Sequence, residues 1–391
     1  MNTFNGYFRP TGKVGIRNHV VVVANASCAS GVVNRIVNIV PEAIPLVHTY
    51  GCSIPGEEER WRRTLIGVCT NPNIFAVILI GIGCETDDAR EIGEMIHAES
   101  GIPVFTQVVQ DDGGGEQVIT RAAKKAKEFL AEAALQKREA APIDSLILGT
   151  QCGGSDALSG VTANPAIGYV SDWLIENGGT VLLTEVAEMI GTEEILAARA
   201  KTPQVAEKIR EMIANEEEEV RRYLGVNASR MIARGNIAGG LTTVQEKALG
   251  CIKKGGGSTV MDVISYAEPV GKRKGLILMQ GPGYDPVSLT GLFASGAQVA
   301  LYSTGRGNPL GHPVLPCIKV CSNSETYNKV GGDGGDMDLN AGAIVTAGVS
   351  PESFGQKCIQ YLLEVCNGKQ TAPESKGYGG ALCVYSAATP L

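Results

Sequence analysis

Aliphatic, β-branched runs alternate with amphipathic helical patterns through most of this chain, and that alternation limits the fold more than any other feature. Runs such as VVVVA (20–24) and FAVILI (75–80) are apolar at every position, so strands built from them are buried on both faces. Such strands separated by helices form parallel sheets, because each helix carries the chain back to the starting edge. Strands are predicted over 19–26, 44–49, 75–82 and 103–108, with helices over 29–39, 57–69, 87–99 and 116–136. The expected fold is α/β, with a doubly wound, mostly parallel sheet of flavodoxin-like or Rossmann-like type. The charged, proline-bearing stretch QKREAAPID (136–144) is the best boundary, giving one domain over 1–140 and a second, larger α/β domain over 141–391. In the second, strands are expected over 145–150, 180–184, 259–264, 275–280, 298–303 and 343–347. Helices are expected there over 165–177, 191–199, 203–224, 241–253 and 351–366.

Charge and composition exclude several classes. The formal net charge is −7 over 391 residues, with both signs interspersed. The acidic run Glu216 to Glu219 meets Arg221 and Arg222 at once and reads as a solvated helix face. No basic stripe with interleaved aromatics is present, so no nucleic-acid partner is expected. No apolar stretch approaches the roughly 18 residues that span a bilayer, and no secretory leader is recognisable, so a cytoplasmic protein without membrane contact is expected. Eleven cysteines, an odd number, do not suggest a disulfide framework.

Four of those cysteines stand where strand-like runs stop: Cys28, Cys52, Cys84 and Cys152. Carboxyl ends of parallel strands line the ligand crevice of an open sheet, so thiols placed there converge. Cys28, Cys52 and Cys84 also sit beside small residues at helix starts, where thiolate is favoured. Three thiolates suit iron, either as Fe²⁺ with open positions or as a 4Fe–4S cluster with one iron left for substrate. There is no CxxC pair, so spacing does not choose the metal. The plainer alternative is that each is a small buried hydrophobe. Cys69, Cys251, Cys358 and Cys366 fall within helical patterns and are expected in the core, and Cys317 and Cys321 are expected to pack around a short strand.

Polar loops follow the later strands. Gln151, Ser155 and Asp156 belong to the loop QCGGSD, where Ser155 and Asp156 are candidate substrate contacts. Asn164 before Pro165 has the signature of a helix N-cap. Glu185, Glu268 and Asp285 are placed to ligate a cation or to act as acid or base, although Asp285 serves equally as a cap. Arg306, between two glycines, offers a fork for a carboxylate. The segment GGDGGDMDLNAG adds Asp333, Asp336, Asp338 and Asn340 as loop carboxylates and an amide. For the general base the candidates are His48, near Cys52, Lys247 on a helix, and a carboxylate such as Glu185. Neither a GxxxxGK[ST] loop nor a GxSxG elbow is present.

Taken together, GYFRPTGKVGIRNHV (6–20), NASC, HTYGCS, GIGCET, QDDGGG, GTQCGGSDALSGVTANPAIG (149–168), LTEVAEMIG, NIAGGLTTVQEKALG, YAEPV, GPGYDPVSLTG, STGRG and DMDLNAG resemble the altronate/galactarate dehydratase family in order along nearly the whole chain. The resemblance implies loss of water from a sugar acid to give a 2-keto-3-deoxy acid, with iron as Lewis acid and Arg306 holding a carboxylate. Full-length members start with a small SAF-type domain, whereas this sequence starts at the GYFRP region. It is therefore expected to act as a large subunit beside a separate small SAF-domain partner, in a homo-oligomer. A related split enzyme, sulfolactate sulfo-lyase, eliminates sulfite. Its large subunit is expected to lack the first three thiols, so Cys28, Cys52 and Cys84 favour dehydration here. A non-catalytic sugar-acid binding protein on the same fold is the third reading.

Overall fold

The computed structural model describes residues 3–52, 56–225, 232–332 and 334–386. The chain opens with β1 (Thr3–Phe8) and β2 (Val14–Gly15), an antiparallel pair. Next, β3 (His19–Ala24), β4 (Ile44–Leu46), β5 (Ile74–Gly81) and β6 (Val104–Val108) form an all-parallel sheet in the order β4–β3–β5–β6. The strand β7 (Glu139–Pro142) returns antiparallel to β1. A second parallel sheet follows, built from β8 (Ile147–Cys152), β9 (Thr180–Leu183), β10 (Val260–Ile264), β11 (Gly275–Met279), β12 (Val299–Thr304), β13 (Cys317–Cys321) and β14 (Leu339–Asn340). Its order is β10–β11–β9–β8–β12–β13–β14. The α/β, parallel-sheet expectation therefore holds for both large sheets.

Successive strand residues point to opposite faces, and the apolar runs bury both. Val20, Val22, Ala76 and Ile78 pack under the helices Ser30–Ile39 and Gly115–Leu135. Val21, Val23, Val77 and Leu79 face the helices Glu58–Cys69 and Ala89–Ser100. That core runs on through the helix Asp285–Ala294 to Ile277, Ala300 and Tyr302, so it joins the two sheets. A third core covers the far face of the larger sheet with the helices Ala163–Glu176, Pro203–Leu224 and Pro351–Cys366. At the join, Gly67 lets two helices touch: a Cβ there would lie 2.5 Å from the Ala294 carbonyl oxygen.

Two sequence expectations change. Residues 343–347, expected as a strand, form the short helix Ala343–Thr346, because β14 already occupies the edge beside β13 and Gly342 turns the chain into the helical region. The charged stretch around 136–144 contains β7, whose partner β1 shows a buried–exposed alternation too short to stand out in the sequence.

Candidate active site

Although β8 comes first in the larger sheet, it lies centrally, with β9 on one side and β12 on the other. The winding changes direction there, and loops from the carboxyl ends part to leave a crevice. Three segments form its floor. β8 ends in Gln151 and Cys152, and β9 is followed by Glu185 and the turn Val186–Glu188. The helix Val244–Cys251 runs into a turn carrying Lys254.

These segments build one buried polar cluster. Glu185 adopts φ 72° and ψ 58°, a left-handed conformation that costs a non-glycine residue about 1–3 kcal/mol. Its carboxylate accepts hydrogen bonds from Gln151 Nε2 at 2.7 Å, the Cys152 N–H at 3.0 Å and Lys254 Nζ at 2.7 Å. The Glu188 carboxylate accepts from the Cys152 thiol at 2.9 Å and the Cys251 thiol at 3.2 Å, and pairs with Lys247 Nζ at 2.5 Å. Lys254 Nζ also lies 2.9 Å from Cys251 Sγ.

Charge balance explains the proton positions. Two carboxylates and two ammonium groups cancel, so a thiolate at Cys152 would add an uncompensated charge. In keeping with this, the hydrogen bond to Cys251 and then burial push the Cys152 thiol well up. Burial raises Glu185, with Lys254 opposing. Burial also works to raise Glu188, but Lys247 and Lys254 outweigh it and hold that carboxyl below its ordinary value.

The cluster can hold a metal ion. One ligand atom from each of Cys152, Glu185, Glu188 and Cys251 lies within 4.8 Å of the others. Two thiolates on a tetrahedral ion at about 2.3 Å would be about 3.8 Å apart; the Cys152 and Cys251 sulfurs are 3.7 Å apart. Thiols with carboxylates suit a borderline ion such as Fe²⁺ or Zn²⁺ better than Mg²⁺ or Ca²⁺. Thiols bind such an ion as thiolates, so binding would be coupled to proton release. Gln151 Oε1 and Thr184 Oγ1 are buried beside the cluster without a hydrogen-bond partner among the described residues, as expected of groups facing a ligand. Above the cluster opens a cavity of about 530 Å³, lined among others by Cys152, Ser155, Asp156, Asn164, Lys247 and Cys251.

The structure brings most of the sequence-predicted residues of the second half to this crevice. Asn164 is not the helix cap; it lies inside the first turn, where its amide donates to the Gly250 carbonyl and accepts from Ser303 Oγ at 2.6 Å. Asp156 accepts from Ser159, Ser322 and Asn323 and so ties the β8 loop to the end of β13. Ser155 is buried next to it, its carbonyl taking a hydrogen bond from Asn236. Asp285 opens a helix without capping it, and accepts from Tyr302 at 2.8 Å, Asn308 at 3.1 Å and Gln151 at 3.3 Å. Arg306 is exposed, and its guanidinium has no hydrogen-bond or ion-pair partner among the described residues. Glu268 is committed to Arg273, Asp336 to Lys376, and Asp338 to the β13 and Tyr361 side of the fold. Asp333 lies outside the described residues.

Cys28, Cys52 and Cys84 form a different arrangement. Strand order puts their loops side by side, and hydrogen bonds join them: Ser27 N–H to the Tyr50 carbonyl at 2.7 Å, and Asn25 Nδ2 to Glu85 Oε1 at 3.1 Å. Glu85 in turn accepts the Gly83 and Cys84 N–H groups. All three thiols are exposed, and among the described residues they do not meet as a three-atom ligand group the way the buried four do. His48 belongs to this region. It is buried against Trp61, donates from Nε2 to the Ala24 carbonyl at 2.6 Å, and does not line the cavity.

Sequence reasoning missed Glu188, Cys251, Lys254, Tyr302 and Lys319. A signal existed for three of them: Glu185 with Glu188, and Cys251 with Lys254, are spaced i, i+3, which places each pair on one face of a turn. Cys251, expected in the core, is buried, and its thiol also joins this polar cluster.

A strained, buried acid–thiol–lysine cluster under a polar cavity at strand carboxyl ends defines an α/β enzyme. Residues 6–134 match the family model for the second domain of D-galactarate dehydratase/altronate hydrolase, and residues 143–388 match that for the D-galactarate/altronate dehydratase C-terminal region. Altronate dehydratase of Bacillus subtilis is 34% identical over 390 residues, covering 96% of this chain and 76% of that protein. Galactarate dehydratase (L-threo-forming) of Escherichia coli is 34% identical, covering 99% of this chain and 77% of its own length. The (2R)-sulfolactate sulfo-lyase subunit beta of Chromohalobacter salexigens is also 34% identical, covering 96% and 95% respectively. The chain belongs to the D-galactarate/altronate dehydratase family of hydro-lyases.

Proposed function

We propose that this protein dehydrates a sugar acid of the altronate or galactarate type to a 2-keto-3-deoxy acid, by metal-assisted elimination in the crevice of the larger sheet. The observation that carries the reading is the buried Cys152–Glu185–Glu188–Cys251 group with its two lysines beneath a polar cavity. Cys152, Cys251 and Glu188 are the closest three donors and would hold the ion, three protein ligands being the usual number at a catalytic rather than a structural site. A divalent ion held there would supply Lewis-acid assistance to the elimination. Arg306, without a partner among the described residues, holds a carboxylate. Gln151, Ser155, Asn164 and Asp285 orient hydroxyls, with Asp156 fixing the loop that presents them. Glu185 takes the α-proton, and Lys247 delivers a proton to the leaving hydroxyl. A small SAF-type partner subunit is part of this proposal, supported by the relative that is itself a subunit beta.

A second reading places iron at Cys28, Cys52 and Cys84, with His48 as the adjacent base. It is favoured by the hydrogen-bonded junction of their loops and by Asn25 Oδ1, buried there without a partner among the described residues. Identity does not separate dehydration from sulfite elimination, being 34% to relatives of both kinds. The thiols at 28, 52 and 84 support dehydration.

Iron and acid-labile sulfide on anaerobically purified protein, with keto-acid formation and sulfite release assayed in parallel, test the reading. Iron lost with turnover in Cys152→Ser supports the crevice site. Iron retained in Cys152→Ser and lost in Cys28→Ser, Cys52→Ser or Cys84→Ser moves the metal to the smaller sheet. Sulfite from sulfolactate without any keto acid from altronate or galactarate overturns dehydration.

A further inference from the structure

Lys319 is fully buried on β13, and no part of the chemistry above uses it. Strand register aligns it with Tyr302 on β12 and Gln151 on β8, so three polar side chains stand in a row across neighbouring strands. Its Nζ lies 3.0 Å from the centre of the Tyr302 ring and donates to the Leu310 carbonyl at 3.0 Å. No carboxylate pairs with it among the described residues. A lysine placed this way costs stability, and a methionine would fill the same space without that cost.

The far side of the Tyr302 ring is held as tightly. Its hydroxyl donates to Asp285 at 2.8 Å and accepts from Asn308 at 2.7 Å. The packing leaves no room for a side chain at Gly153, where a Cβ would lie 2.0 Å from the Tyr302 oxygen and 2.4 Å from Asp285 Oδ2. From Asp285 the chain of contacts continues through Gln151 to Glu185. Asp285 is the half-buried member of this row, while Lys319, Tyr302 and Gln151 are enclosed.

We propose that Lys319 is a positioning residue: seated on the Tyr302 ring, it fixes that hydroxyl on Asp285 and so keeps the Asp285 carboxyl ionised and aimed at a substrate hydroxyl. The inference rests on the dehydration reading. The groups facing Lys319 are Cys317 on its own strand, Tyr302 on β12, Asp285 at its helix start and Asp338 before β14. Burial nevertheless brings the amine down to about 7. Asp285 faces Tyr302, Gln151, Glu188 and Lys319; burial pushes its carboxyl up, and Lys319 is among the groups holding it down. Loss of Lys319 therefore raises Asp285 further.

The test uses the full chain labelled with carboxyl-¹³C aspartate, the resonance being assigned with Asp285→Asn. In Lys319→Met, the Asp285 titration should move up by about one pH unit. Tyr302→Phe, which keeps the ring and loses the hydroxyl, should move it in the same direction. In turnover, Lys319→Met should lower kcat about tenfold with KM within about twofold, and the pH–rate limb belonging to Asp285 should shift upward with the resonance. An Asp285 resonance unmoved in both variants overturns the proposal, whatever the activity. A shifted resonance in a protein whose wild-type form dehydrates neither altronate nor galactarate overturns the functional reading and leaves the positioning effect standing. Should Lys319→Met fail to fold, Tyr302→Phe alone decides.

Discussion

The two parallel sheets each carry thiols at their carboxyl edges, and the two edges are built on opposite principles. At the smaller sheet, Cys28, Cys52 and Cys84 are exposed, and backbone and amide hydrogen bonds tie their loops together. At the larger sheet, Cys152 and Cys251 are buried and sit among two carboxylates and two lysines. Water screens the first set, so those thiols need no counter-charge. The second set lies where an uncompensated charge costs several kcal/mol, so each carboxylate has acquired its own cation. A thiol at a strand end is therefore a weak indication of a site; the charged groups buried with it are the stronger one.

The largest expected effect strikes the balanced edge. Lys254→Met leaves Glu185 buried without its ammonium partner and should cost about 3–5 kcal/mol, read as a fall in the urea midpoint at unchanged slope. If that variant is as stable as wild type, the two edges do not differ in how they compensate charge.

Acid acts next. Burial drops His312, close to β13, to about 3. An unfolded imidazole ionises near 6.5, so the unfolded chain binds the extra proton first and stability falls as pH drops below about 6.5. By pH 4 the loss from this one group is about 3 kcal/mol, and His312→Gln should flatten that part of the stability–pH curve. A wild-type curve level between pH 6.5 and 4 removes the argument.

Smaller effects sharpen the functional side. Arg306→Ala should raise KM for a sugar acid roughly 10- to 100-fold, the worth of a charge-assisted contact, while leaving the unfolding midpoint in place. At the smaller sheet, Cys28→Ser should change stability by less than about 0.5 kcal/mol, since the thiol is exposed. A large loss there would show that the exposed edge holds something that stabilises the fold.

Much of this was legible in the chain. The apolar runs placed β3, β5, β8 and β12 to within a few residues, because a strand buried on both faces admits almost nothing else. Polar segments at the ends of β8, β9, β11 and β12 marked Gln151, Glu185, Asp285 and Arg306, since sheet topology sends those ends to one edge. Short antiparallel pieces were not legible: β2 has two residues, and β7 lies in a charged stretch whose pairing depends on a partner more than a hundred residues away. Cys251 and Lys254 looked like ordinary helix positions, because nothing local says which face of that helix turns inward.

The sequence by itself determined the α/β architecture, the parallel sheets and the loops that carry chemistry, because hydrophobic periodicity and glycine punctuation are local properties. Only the tertiary structure decided which thiols are buried, which lysine pairs with which carboxylate, and that Lys319 stands behind Tyr302. Those outcomes depend on strand order and on helices meeting across it, and the energy of a buried charge is set by neighbours that come from distant parts of the chain.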